Sequence, residues 1–84
     1  MKFYYITFRS VTFAQRGEQV LNKGGFRCAL LRTPKWMEAQ GCGYSLRVFT
    51  QDIREAMALL RKYKVMLRKL YIQQPDGTLE EYPL

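Results

Sequence analysis

Strand-like and helix-like periodicities alternate along this chain in a fixed order, and that order limits the possible folds more than any single motif does. Residues 3–9, Phe-Tyr-Tyr-Ile-Thr-Phe-Arg, are aromatic and β-branched. They read as a strand with Tyr4, Ile6 and Phe8 on one face and Phe3, Tyr5, Thr7 and Arg9 on the other. Ser10 or Thr12 then opens a helix, and Thr12 with Gln15 has the spacing of a capping box. Phe13, Ala14, Gly17, Val20 and Leu21 keep helical spacing until Gly24-Gly25 ends the run. Phe26 to Arg32 reads as a second strand, with Phe26, Cys28 and Leu30 on one face. Residues 33–43 connect it to a third strand, Tyr44 to Phe49, in which Leu46 and Val48 point inward and Ser45, Arg47 and Phe49 outward. Thr50 is expected to cap a second helix, whose Ile53, Ala56, Met57, Leu60 and Tyr63 form an apolar stripe. Residues 65–73 are expected as a fourth strand. Pro75-Asp76-Gly77 has the chemistry of a hairpin turn and would return 78–82 as a short edge strand.

The order β-α-β-β-α-β with a terminal hairpin predicts an α+β, ferredoxin-like split sandwich with an additional C-terminal strand. One domain over 1–84 is expected, with 73–84 as the hairpin extension. The predicted strand order is 4-1-3-2, with helices near 11–23 and 51–63 on one face and strands two and three antiparallel. Right-handed crossovers would then bring the ends of strands one and two, the start of strand three and the start of helix one to the same edge.

Composition narrows the functional classes. With 48% hydrophobic and 14% aromatic residues, the chain has the material for a packed core. No apolar run approaches a membrane span, and Arg9 and Arg16 interrupt the N-terminal apolar region early for a secretory signal. A soluble cytoplasmic protein is expected. Fourteen Lys and Arg face seven Asp and Glu, a net charge of +7. Three of the acids (Asp76, Glu80, Glu81) fall in the last nine residues, so the body up to Pro75 sets fourteen cations against four acids, a surplus of ten. Such a surface attracts nucleic acid, acidic proteins or small anions, or serves solubility alone.

Two cysteines and no histidine bound the chemistry. The pair carries no presumption of a disulfide in a reducing compartment and makes half a zinc site at most, so neither a metal nor another cofactor is expected. Cys28 alternates with Phe26 and Leu30 and reads as a core residue. Cys42 differs, because Gly41 and Gly43 flank it and strip side chains from its surroundings. The predicted topology puts it close to the N-terminus of helix one, with Arg9, Arg32, Lys35, Lys62 and Lys64 around the same end. A helix N-terminus and nearby cations favour a thiolate. The connector is also longer than the roughly two to five residues that a hairpin needs. The residues alone leave two readings of Cys42 open, a reactive thiol and a small buried side chain.

Three segments carry a resemblance. Tyr4-Tyr5-Ile6-Thr7-Phe8 followed by Ser10-Val11-Thr12, then Leu31-Arg32-Thr33-Pro34-Lys35, then Gly41-Cys42-Gly43-Tyr44-Ser45-Leu46-Arg47 resemble a small bacterial family of selenium/sulfur carrier protein-like domains. The similarity covers roughly residues 3–72, with Gln73 onward as an extension. It implies a thiol carrier rather than a turnover enzyme. Cys42 would accept sulfur or selenium as a persulfide or selenosulfide, with Gly41, Gly43, Ser10, Thr12, Arg9, Arg32, Pro34 and Lys35 supporting it. The implied partners are donor and acceptor proteins such as a cysteine desulfurase.

The sheet face away from the helices suggests a binding module as an alternative. It would carry Phe3, Tyr5, Arg27, Arg47 and Phe49, an aromatic and basic mixture suited to stacking on single-stranded RNA. No RNP1-like sequence occupies strand three. Burial of this face in a homodimer, with Leu31 and Phe49 at the contact, ranks ahead of RNA binding. A scaffold role for the edge strand is a third reading.

Overall fold

A computed structural model describes residues 2–33 and 43–82. Their order is β1 (Lys2–Thr7), α1 (Val11–Lys23), β2 (Arg27–Arg32), β3 (Tyr44–Thr50), α2 (Ile53–Lys62), β4 (Leu70–Gln73) and β5 (Leu79–Glu81). The sheet runs β2-β3-β1-β4-β5 with every neighbouring pair antiparallel. Each helix therefore links two parallel strands with one antiparallel strand between them, which is the ferredoxin-like arrangement with a fifth strand added.

Strand alternation builds the core. Tyr4, Ile6 and Phe8 are buried, as are Leu46, Val48 and Leu70. Ala14, Leu21, Ile53, Ala56 and Leu60 from the two helices join them in one cluster, so both helices cover the same face. Gly17 sets how closely α1 can lie. A Cβ there would sit 3.0 Å from Phe8 Cζ and 3.2 Å from Leu46 Cδ1, both on fully buried side chains.

The helix starts differ from the sequence reading in two respects. Ser10, in extended conformation at φ −144°, accepts from the Phe13 N–H at 3.2 Å and is the cap of α1. Thr12 lies inside the first turn and is exposed, so no Thr12–Gln15 box forms. Asp52 rather than Thr50 caps α2, accepting from the Arg54 N–H at 3.0 Å. Thr50 acts one step earlier, its hydroxyl accepting from the Asp52 N–H at 3.2 Å. Tyr63 drops out of the apolar stripe because it ends α2 and stays half exposed.

The fourth strand begins at Leu70, not at residue 65, and a bulge explains the difference. Thr7 faces two residues at once. Its carbonyl accepts from the Arg68 N–H at 2.8 Å, while its N–H donates to the Lys69 carbonyl at 2.9 Å. Its hydroxyl takes the Lys69 N–H at 3.0 Å. Two residues opposite one end the regular ladder there. Before the bulge, Lys64 turns the chain at φ 58°, and the Val65 N–H closes on the Leu60 carbonyl at 2.9 Å. The hairpin follows its turn chemistry, with Asp76 accepting from both the N–H and the hydroxyl of Thr78 at 3.0 and 2.7 Å.

Gly17→Ala tests the close approach of α1. Alanine gains about 1 kcal/mol of helix propensity, but overpacking a filled core costs about 1–3 kcal/mol. The overpacking term is expected to win because both Phe8 and Leu46 are fully buried. Thermal denaturation is expected to show Tm lowered by a few degrees, and a raised Tm would refute this account of the contact.

Candidate functional site

One edge of the sheet gathers the end of β1, the end of β2, the start of β3 and the start of α1. Thr7 pairs with Ser45, Arg32 pairs with Tyr44, and the Phe8 N–H donates to the Tyr44 carbonyl at 3.4 Å. Beyond the paired residues, the Thr33 N–H donates to the Gly43 carbonyl. Gly43 has φ 74°, a conformation that a residue with a Cβ adopts only under strain. Glycine is therefore required at this turn for its backbone and not for space, since its nearest neighbour would stand 3.9 Å from a Cβ.

The supporting residues expected from sequence are placed differently from one another. Ser10 and Arg9 are at this edge, Ser10 engaged as the cap and Arg9 exposed. Arg32 lies 5.3 Å over the Tyr44 ring and donates to its hydroxyl at 3.3 Å. Lys62 rests 5.7 Å from the Tyr63 ring, and Lys64 occupies the turn after α2. Thr12 is exposed on α1. Pro34, Lys35, Gly41 and Cys42 lie outside the described residues.

Two buried hydroxyls at this edge had no signature in the sequence. Thr33 Oγ1 and Ser45 Oγ are buried with no hydrogen-bond partner among the described residues. Simple alternation reads Ser45 as solvent-facing, since it shares a face with Arg47 and Phe49, yet Ser45 and its neighbour Thr7 are both fully covered.

Cys28 is committed to packing. Its thiol, half-buried between β2 and α1, points at Asn22 Oδ1 at 3.4 Å and at the Glu18 carbonyl at 3.8 Å. Burial, reinforced by the Glu18 carboxylate, pushes its pKa up to about 11. Such a thiol is a poor nucleophile near neutral pH. Among the described residues there is no group of three His, Cys, Asp or Glu side chains able to hold a metal ion. None of the helices there is long and apolar enough to cross a membrane.

The opposite face brings together most of the aromatic and basic residues expected on it. The register aligns Arg27, Phe49 and Phe3 in one row and Arg47 with Tyr5 in the next. Phe3 and Phe49 are 4.6 Å apart between ring centroids and tilted by 30°, and Arg47 lies 5.1 Å over Phe3. Phe3, Arg27, Arg47 and Phe49 line a shallow cavity of about 310 Å³. Tyr5 is half-buried beside them.

The described residues thus place a left-handed glycine and two buried hydroxyls at one edge of a ferredoxin-like sheet. The chain belongs to the family described as putative Se/S carrier protein-like, whose model matches residues 3–72. The match stops inside β4, so the terminal hairpin and β5 lie beyond it. No curated protein and no solved structure matches the chain.

The high pKa of Cys28 makes a direct prediction for a Cys42→Ser protein, in which Cys28 is the remaining thiol. Alkylation by iodoacetamide should be slow at pH 8 in the folded state and rise toward pH 11. Because the folded pKa exceeds the usual value of 9.0, the folded state keeps a proton that the unfolded state has lost. This contribution to stability is complete below pH 9 and disappears as pH rises through about 11. Rapid labelling at pH 8 without denaturant would show that Cys28 is not held as described.

Proposed function

We propose that the chain is a sulfur or selenium carrier whose working thiol is Cys42. Family membership over residues 3–72 carries this reading. The commitment of Cys28 to a packed, proton-retaining position supports it, because that leaves Cys42 as the remaining thiol in the sequence. The reaction needs no outside oxidant. The Cys42 thiolate attacks the terminal sulfur of a donor persulfide, an S–S bond forms to Cys42, the donor's S–S bond breaks, and the donor leaves as a thiolate. A nucleophile of the acceptor repeats the exchange on the Cys42 persulfide and releases Cys42 as a thiolate. Transfer of this kind depends on access to the outer sulfur as well as on thiolate character. Glycines on both sides of Cys42 suit that need. The same exchange with a terminal selenium gives a selenosulfide. Donor and acceptor are protein thiols or selenols, a cysteine desulfurase being one such donor, and a reducing cytoplasm suits the chemistry.

Incubation with a cysteine desulfurase and cysteine, followed by intact-mass measurement, tests the proposal. Wild type and Cys28→Ser should each gain one sulfur atom, and Cys42→Ser none. Equal loading of both single variants would remove Cys42 from the role.

The Phe3–Phe49 pair under Arg47 favours a second reading, a binding module that uses the open sheet face. A second copy of the chain is the first expected occupant and single-stranded RNA the second. Sedimentation at micromolar concentration should show a dimer that Phe49→Asp dissociates. A monomer that binds single-stranded RNA in a salt-sensitive manner would select the nucleic-acid form of this reading.

A further inference from the structure

The early end of the β4 ladder has a second effect, on the far side of α2. Because residues 65–69 leave the sheet, their apolar side chains are not spent on strand pairing. A groove of about 590 Å³ opens between this segment and α2. Ile53 and Met57 line it from α2, Val65 and Leu67 from the segment after α2, and Tyr82 also lines it. Met66 stands at the mouth with 71% of its surface exposed, the most exposed of the large apolar side chains described. An apolar concavity with an exposed methionine on its lip marks a contact surface.

The rim has one sign of charge. Arg54, Arg61 and Lys64 border the groove. Arg54 is held by Asp52 at 3.2 Å, whereas no described carboxylate pairs with Arg61 or Lys64. We propose that this groove receives an acidic amphipathic helix of a partner protein. The length fits. Ile53, Met57 and Arg61 follow one another at i, i+4 and i+8 along α2, a span of about 12 Å, which matches two turns of a helix presenting apolar anchors on one face.

Other occupants fit less well. A small-molecule site places polar groups inside the pocket to orient its ligand, but here the lining is mainly apolar and its charged side chains are solvent-exposed. A flat bilayer surface matches a concave groove less well than a helix does. A second copy brings a charge of +7 toward a cationic rim, and its C-terminal acids are engaged: Asp76 by Thr78, Glu80 by Gln74 and Glu81 by Lys69. This surface is separate from the open sheet face, and the inference does not rest on the carrier reading.

The test uses Cys42→Ser protein, so that binding is read apart from sulfur transfer. The probe is a fluorescein-labelled 16-residue helix with leucines at i, i+4 and i+7 and glutamates on its flanks. Saturable binding is expected, weakening as salt rises. Amide shifts should concentrate in residues 53–67 and at Tyr82. Met66→Asp, at a position too exposed to affect folding, and the double variant Arg61→Glu with Lys64→Glu should each weaken binding about tenfold, as loss of a central anchor or of the steering charge does. Several results would overturn the proposal: no saturable binding, binding unchanged in both variants, or equal binding of a probe with lysines in place of its glutamates. Tighter competition by laurate than by the unlabelled helix would assign the groove to a small amphiphile. Capture on phosphatidylglycerol vesicles that Met66→Asp abolishes would assign it to a membrane, and a dimer that Met66→Asp dissociates would assign it to a second copy.

Discussion

The position of α1 against the sheet governs much of the rest of this structure, and Gly17 sets it. With no Cβ at that position, the helix backbone comes down onto Phe8 and Leu46, two side chains with no exposed surface. The helix start is fixed separately, because Ser10 caps α1 only three residues after β1 ends. The connection between β1 and α1 therefore has little freedom, and the edge carrying Gly43, Thr33 and Arg32 inherits that order through the pairing of Thr7 with Ser45 and of Arg32 with Tyr44. A packing contact at the middle of a helix in this way orders a sheet edge about two turns away.

Thr7 has an equal influence on the other side of β1. By accepting from two successive residues, it stops the β4 ladder and steers residues 65–69 away from the sheet. That segment is tied at both ends, by Val65 to Leu60 and by Arg68 to Thr7, with Met66 and Leu67 between the ties. One threonine thus divides an apolar stretch into a ladder portion from Leu70 and a portion outside the ladder, in which Val65 still packs into the core and Met66 is exposed at the groove.

Much of this was legible in the sequence because it rests on periodicity. The apolar positions of β1, β3 and the two helices follow from local spacing, and the strand order follows from the sequence of elements. What could not be read depends on contacts between distant residues. Val65-Met66-Leu67 has strand composition, and nothing local says that Thr7, more than fifty positions away, will interrupt the ladder. Asp52 displaces Thr50 as cap because either polar residue could begin a helix, and backbone conformation decides between them. The burial of Ser45 on the nominally open face is likewise invisible to alternation. At the candidate site, the committed state of Cys28 was foreshadowed by its place between Phe26 and Leu30, while Cys42 and its immediate neighbours lie outside the described residues.

The short fifth strand also bears on how such sheets behave when crowded. β5 occupies the outer side of β4 with three residues, two of them glutamates, and a brief, charged edge is a poor template for adding another strand. Among the described strands, β2 is then the one long edge still open, with Arg27 and Arg32 at its two ends. Two chains that joined edge to edge through β2 would turn only their β5 sides outward, so strand-by-strand growth would stop at a pair. By covering β4, the hairpin that lies beyond the family match makes the sheet's outer edge on that side a brief, charged strand.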